Sequence, residues 1–312
     1  MRTVRIVFMG SPRFAVTPLE ELHRAGYELA AVYSKPDKPS GRGQETVYSP
    51  VKRAALALGL PVVQPRSLKT GEALAELADF KPDAVVVAAY GQILPPAVLA
   101  LPPLGCLNIH PSLLPRHRGA APVVSTLLSG DRWGGTSIML MDEGLDTGPV
   151  LARASVLIRA EDNAGTLADK LSLVSSQLLL DVLPRWAAGN LKPQPQDAAQ
   201  ATLFKTMRKE AGEIDWSLSA VEIWRQVRAF QPWPGAFTRY QGKILKVIEA
   251  FPVDEGSTEP PGRVIGQGRG FGVVTGDGVL EVRQLQMEGR QITPAADFLR
   301  GQRAFMGTLL PD

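Results

Sequence analysis

The chain has 312 residues, a formal net charge of +3, 45% hydrophobic and 21% charged residues, which allows two domains with separate cores and is ordinary for a soluble globular protein. No apolar run reaches the length of a transmembrane helix, so a membrane partner is not expected. A single cysteine, Cys106, excludes an intrachain disulfide and fits a reducing cytoplasm; the small positive charge permits an anionic partner without demanding one.

The first half alternates strand and helix patterns. Val4 to Met9 reads as the first strand, Gly10-Ser11-Pro12 as a turn, and the following residues as an amphipathic helix through Ala25. Leu29 to Tyr33 is the next strand. Ser49 caps a helix with Pro50 at its first position and Val51, Ala54, Ala55 and Leu58 on one face. Pro61 to Gln64 is a short strand, Thr70 to Phe80 a helix, and Ala84 to Ala89 a fully apolar strand. Continuous apolar strands separated by helices predict a mostly parallel, Rossmann-like sheet covered on both faces, with ligands at the carboxyl ends of its strands. Leu167, Leu171, Val174, Leu178, Val182 and Trp186 recur at helical spacing, and Gly189-Asn190 ends that helix.

A polar, proline-containing stretch follows, Lys192 to Gln200. Ser219 to Phe230 reads as a helix entered through Asp215-Trp216-Ser217. Short strands then dominate: Phe237–Tyr240, Ile244–Ala250, Gly262–Ile265, Gly272–Thr275 and Val279–Leu285, separated by Gly-rich turns. They predict a small barrel resembling the oligonucleotide-binding (OB) type. The expected division is a first domain over 1–189, a linker over 190–206 and an OB-like domain over 207–312. Positive charge gathers locally over residues 205–246, at Lys205, Arg208, Lys209, Arg225, Arg228, Arg239, Lys243 and Lys246.

Several chemistries lack their signatures. The Gly10-Ser11-Pro12-Arg13 turn is not a G-x-G-x-x-G dinucleotide loop, and Gly41-Arg42-Gly43 is not a Walker loop. Three histidines, at 23, 110 and 117, and one cysteine form no ligand-spaced cluster, so no metal is expected. What stands out is Cys106-Leu107-Asn108-Ile109-His110-Pro111-Ser112-Leu113-Leu114-Pro115. On a strand Asn108 and His110 point to one face, and the prolines end the strand beside a loop. Gly144-Leu145-Asp146-Thr147-Gly148 supplies a carboxylate in a glycine-bounded loop. An oxyanion donor, a titratable acid/base and an orienting carboxylate are what acyl transfer to an amine needs. Cys106 itself reads as a small core residue.

These paired motifs resemble those of the 10-formyltetrahydrofolate-dependent formyltransferases. The resemblance extends to Phe8-Met9-Gly10-Ser11-Pro12-Arg13-Phe14-Ala15, Lys35 to Gly43, Ala89-Tyr90-Gly91-Gln92-Ile93-Leu94-Pro95, Arg116 to Pro122, Ile214-Asp215-Trp216 and Arg228 to Gly235. It implies formyl transfer from 10-formyltetrahydrofolate, a co-substrate, with Asn108, His110 and Asp146 catalytic. Asn108 and a protonated His110 would hold the oxyanion, Asp146 would raise the pKa of His110, and the proton would travel through His110, Asp146 or water. Ser112, Leu113, Leu114, Pro115, Ile93 and Leu94 would wall the pterin. Within the family the chain resembles the members acting on methionyl-tRNA, which implies initiator Met-tRNA as partner, a role in translation initiation and a monomer. Arg42, Lys205, Arg208, Lys209 and Lys246 would contact the tRNA. Those members often carry lysines after the residue at 42, where this chain has Gln44-Glu45. A small acceptor such as glycinamide ribonucleotide or an amino-sugar nucleotide remains the alternative, and a non-catalytic RNA-binding protein a more distant one.

Overall fold

A computed structural model describes residues 4–40, 45–204, 206–268 and 270–312. The chain forms two compact units. Residues 1–122, 133–157 and 168–204 make up the first, and residues 123–132, 158–167 and 205–312 the second.

The first unit is built on seven strands: β1 (Arg5–Gly10), β2 (Glu28–Tyr33), β3 (Val62–Val63), β4 (Ala84–Ala88), β5 (Cys106–His110), β6 (Trp133–Leu140) and β7 (Val150–Leu157). Their order across the sheet is β3-β2-β1-β4-β5-β6-β7. All pairings from β3 to β5 are parallel, while β6 and β7 join antiparallel. The strand order reverses direction between β1 and β4, where ligands collect in such sheets. Ile6 to Met9 and Ala84 to Val86 are fully buried, the burial expected of strands covered on both faces.

Helices α1 (Val16–Arg24), α2 (Pro50–Ala57), α3 (Gly71–Asp79) and α4 (Pro96–Leu99) accompany them, with most of α6 (Ala164–Ala187), whereas α5 (Pro122–Leu128) belongs almost wholly to the second unit. The Ser49 hydroxyl caps α2 by accepting from the Lys52 N–H, with Pro50 at the start of the helix, as the sequence predicts. The first helix begins later than expected. Pro12 leads into a 3₁₀ turn over Arg13–Ala15 before α1 starts. Leu179, Val182 and Leu183 of α6 pack fully buried in the sheet's core. Burial pushes the Cys106 thiol up to about 12, so it is an inert core group.

The second unit holds α7 (Ala220–Ala229), β8 (Ala236–Tyr240), β9 (Lys243–Val253), β10 (Val264–Gln267), β11 (Gly270–Val274), β12 (Val279–Met287), β13 (Thr293–Pro294) and α8 (Ala295–Gly301). The antiparallel order is β8-β9-β12-β11-β10, with β13 on β12, an arrangement compatible with the OB-like expectation. Phe305 centres its core, meeting Tyr240, Phe271 and Phe298 edge to face at centroid separations of 4.8, 4.9 and 5.0 Å. A capping box between Ser219 and Glu222 starts α7.

Candidate active site

β5 lies between β4 and β6, with Asn108 opposite Val87 on one side and Met139 on the other, and His110 opposite Ser137. The loop that leaves β5 is pinned by buried hydroxyls of β6. The Ser137 hydroxyl donates to the Ser112 carbonyl at 2.7 Å and accepts from the Leu114 N–H at 3.1 Å. Thr136 donates to the His110 carbonyl at 3.2 Å and accepts from Ser175 of α6 at 2.8 Å. Arg153 of β7 donates to the Leu114 carbonyl at 2.8 Å. Gly135 makes room for this loop, because a Cβ there would collide with the Leu113 side chain and the Ala154 carbonyl. Each buried polar group thus has a partner, which holds the loop in one arrangement.

His110 is 4% exposed. Its Nε2 stands 3.0 Å from the His117 carbonyl, and its Nδ1 stands 3.5 Å from Asp146 Oδ1. A carbonyl only accepts, so Nε2 carries a proton, and Nδ1 is the ring nitrogen that faces the carboxylate. Burial lowers the pKa of His110 from its ordinary value, and the Asp146 charge and the His117 carbonyl raise it less than burial lowers it. The sequence reading expects Asp146 to keep the ring protonated. Asp146 does pull in that direction, but desolvation of a buried cation is the larger effect.

Asp146 sits in the left-handed region at φ 54°, a conformation that Asp tolerates better than most residues. Its Oδ2 accepts from the Gly119 N–H at 2.8 Å, which turns Oδ1 toward His110. The surrounding loop closes on Asp142, whose Oδ1 accepts from the Gly144 N–H and the Thr147 hydroxyl at 3.1 and 2.7 Å. Asn108 is half-buried, and among the described residues its amide makes no hydrogen bond.

The structure therefore brings Asn108, His110 and Asp146 together in the first unit. Of the apolar candidates, Leu94 and Leu114 are buried in the core at 5% and 2% exposure, whereas Ile93 is 79% exposed. Leu113 and Pro115 are half-buried and Ser112 is buried, its hydroxyl donating to the Arg116 carbonyl at 2.7 Å. Ile93, Leu113 and Pro115 are thus the side chains with surface to offer a ligand. Arg208, Lys209 and Lys246 belong to the second unit. Arg208 and Lys209 are exposed at a turn ending at Gly212, which closes on the Gly235 carbonyl, and the Lys246 side chain runs along Gly235. Arg42 and Lys205 lie outside the described residues.

Gln196 is a site residue that the sequence reading misses. Its Nε2 donates to the carbonyls of Asp146 and Gly148 at 2.9 and 2.7 Å, and its Oε1 accepts from Arg118 at 2.8 and 3.1 Å. Thr202 accepts from the His117 N–H at 2.8 Å and its carbonyl from the Arg118 N–H at 2.9 Å. The polar stretch read only as a connection therefore braces both loops that meet at His110. The one available signal is the run of polar side chains with few charges between Gln194 and Gln200.

An amide, a buried imidazole and a carboxylate at one strand end of an open α/β sheet are the group types that acyl transfer calls for. The formyl transferase profile matches residues 4–183 and the formyl transferase C-terminal domain profile residues 206–303, and the chain belongs to the formyl transferase family. It is 52% identical over 313 residues to methionyl-tRNA formyltransferase of Dehalococcoides mccartyi, covering 99% of each chain. Among solved structures it resembles WlaRD, a sugar 3N-formyl transferase, in the presence of dTDP and 5-N-formyl-THF, with a TM-score of 0.66 and 18% identity over 93% of this chain and 100% of that one. HypX from Aquifex aeolicus in complex with tetrahydrofolic acid gives a TM-score of 0.65 and 19% identity, covering 96% of this chain but 47% of the HypX chain. At such identities the structural matches speak for the fold.

Two outcomes are expected from this geometry. In an NMR titration His110 should gain its proton with a midpoint below about 6.5, the ordinary histidine value. Asp146→Asn should lower that midpoint further, because it removes the charge that raises it; a midpoint above 6.5, or an upward shift in Asp146→Asn, contradicts the assignment. Gln196→Ala should reduce kcat by about 10- to 100-fold by loosening the Asp146 loop while leaving KM for the formyl donor near wild type. A mutant with unchanged kcat would make Gln196 dispensable to the site.

Proposed function

We propose that the protein transfers the formyl group of 10-formyltetrahydrofolate to the α-amine of methionine esterified to initiator tRNA, a cytoplasmic step of translation initiation. The observation that carries the chemistry is the buried His110 held between the His117 carbonyl and Asp146, on the same strand face as Asn108, whose amide has no hydrogen bond among the described residues. The near-complete match to a methionyl-tRNA formyltransferase at 52% identity supports the acceptor.

The neutral amine attacks the formyl carbon, a C–N bond forms, and the carbonyl electrons move onto oxygen. The Asn108 N–H group donates to that oxygen, an interaction that strengthens as negative charge develops. His110 Nδ1 takes the ammonium proton of the intermediate. Asp146 and the His117 carbonyl then stabilise the imidazolium at its two nitrogens, as an orienting carboxylate does in a catalytic triad. Collapse of the oxyanion re-forms the carbonyl and breaks the bond to the folate nitrogen, which receives the proton from His110. Formyl-methionyl ester and tetrahydrofolate leave. The oxyanion share first assigned to His110 passes to Asn108 in this reading, because Nε2 already serves the His117 carbonyl.

Ile93, Leu113 and Pro115 offer apolar surface for a flat pterin beside the ends of β4 and β5, with Leu94, Leu114 and Ser112 fixing the loops beneath. Arg208, Lys209 and Lys246, together with Lys205 and Arg42, are the cations assigned to tRNA phosphates; in the 1–189, 190–206 and 207–312 division the donor chemistry falls in the first part, and Arg208, Lys209 and Lys246 fall in the last.

The test is single-turnover transfer of labelled formyl to charged initiator tRNA, set against uncharged tRNA and amino-sugar nucleotides. His110→Ala and Asp146→Asn should each slow transfer by about 10²–10⁴-fold, and Asn108→Ala by about 10²–10³-fold, with folding intact. Near-wild-type turnover by folded His110→Ala would overturn the mechanism; preferred formylation of the amino sugar would overturn the acceptor.

A further inference from the structure

Three separate segments of the second unit converge on a cavity of about 210 Å³: residues 127–132, residues 158–160 and α7. Arg132, Arg159, Arg225 and Arg228 line it together with Trp224. Arg228 donates to the carbonyls of Asp162 and Arg159 at 2.7 and 3.2 Å, and its guanidinium lies 4.2 Å over the Trp224 ring. Arg225 lies against Gly130, where any Cβ would collide with the guanidinium. Among the described residues the side chains of Arg132, Arg159 and Arg225 have neither an ion pair nor a hydrogen bond. Asp131 is the carboxylate on the lining, and it has interactions of its own. Glu161 and Glu249 line a neighbouring cavity that shares Trp224 and Arg228.

Four guanidinium groups share this lining with one carboxylate, Asp131; Asp162 and Glu161 attract Arg228 and Glu222 attracts Arg225, while the side chains of Arg132 and Arg159 have no ion pair or hydrogen bond among the described residues. Guanidinium forks match phosphate oxygens in pairs, whereas exposed arginines without partners contribute little to stability. The cavity is smaller than the roughly 300–1,000 Å³ that encloses a whole small ligand. It suits a charged group projecting from a larger body. Trp224, half-buried, offers an aromatic edge next to that group.

We propose that this arginine-lined cavity binds backbone phosphates of the acceptor tRNA, as a site additional to the cations around Gly235. The inference rests on the Met-tRNA reading given above. Phosphate contacts fix register and carry no sequence information, so the site grips charged and uncharged tRNA alike.

The test is the full-length Arg132→Glu/Arg159→Glu variant, since both side chains are exposed and unpartnered and their replacement leaves the core untouched. Binding of uncharged and methionyl initiator tRNA is measured through a salt series, with KM for the formyl donor alongside. Affinity for both tRNAs should fall by the same factor, about tenfold or more, and the slope of log K against log salt should flatten by about 0.7–0.9 for each phosphate lost. Arg132→Lys/Arg159→Lys should retain most of the slope, and donor KM should not move. A folded Glu variant with wild-type affinity and slope, beside a wild-type protein that binds tRNA, overturns this inference alone. A wild-type protein that binds no tRNA overturns the acceptor reading and this inference with it.

Discussion

The hydrogen bond from His110 Nε2 to the His117 carbonyl is the interaction on which the site depends. It fixes the tautomer of a ring with 4% exposure, and so decides which nitrogen faces Asp146. A histidine free to rotate would present either nitrogen and be solvated at both. Here the carbonyl takes one donor, burial resists a second proton, and the remaining lone pair is aimed at a carboxylate 3.5 Å away.

That one carbonyl is positioned by a chain of backbone constraints. His117 itself adopts φ 59° and Gly119 φ 107°, left-handed values that turn the peptide groups of this segment toward His110 and Asp146. Thr202 holds the His117 N–H, and residues 203–204 form a short parallel ladder with residues 118–119. A side chain at 119 would strike the Phe204 carbonyl, so that approach needs glycine. Gln196 ties the Asp146 loop to Arg118 from the same returning stretch. Local strain of the kind His117 carries, of order 1–3 kcal/mol for a non-glycine residue, persists where surrounding bonds over-determine it.

Much of this was legible in the sequence for a physical reason. The alternation on β5 puts Asn108 and His110 on one face whatever the rest of the chain does, and the short apolar runs at Ile6–Met9 and Ala84–Ala88, set between helix patterns, read as buried parallel strands. Ser49-Pro50 and Ser219 announce their helices by local capping chemistry. The strands over Trp133–Leu140 and Val150–Leu157 were not read. Gly134 and Gly135 weaken the first pattern, and the value of Gly135 lies in admitting Leu113, a tertiary fact. The direction of the His110 shift was also hidden, because it is set by how completely the fold excludes water. A backbone carbonyl such as that of His117 carries no residue identity to read. The arginine cavity draws on residues nearly a hundred positions apart, so no window of sequence contains it.

The central claim is that His110 stands neutral, protonated on Nε2, with Nδ1 available as a base. Nitrogen-15 NMR of the histidine ring in the free enzyme at neutral pH tests it most directly. The account predicts a protonated Nε2 and an unprotonated Nδ1 for His110, an assignment that persists when Asp146 is replaced by Asn because the His117 carbonyl, not the carboxylate, sets the tautomer. A ring protonated at both nitrogens, or one carrying its single proton on Nδ1, would contradict it.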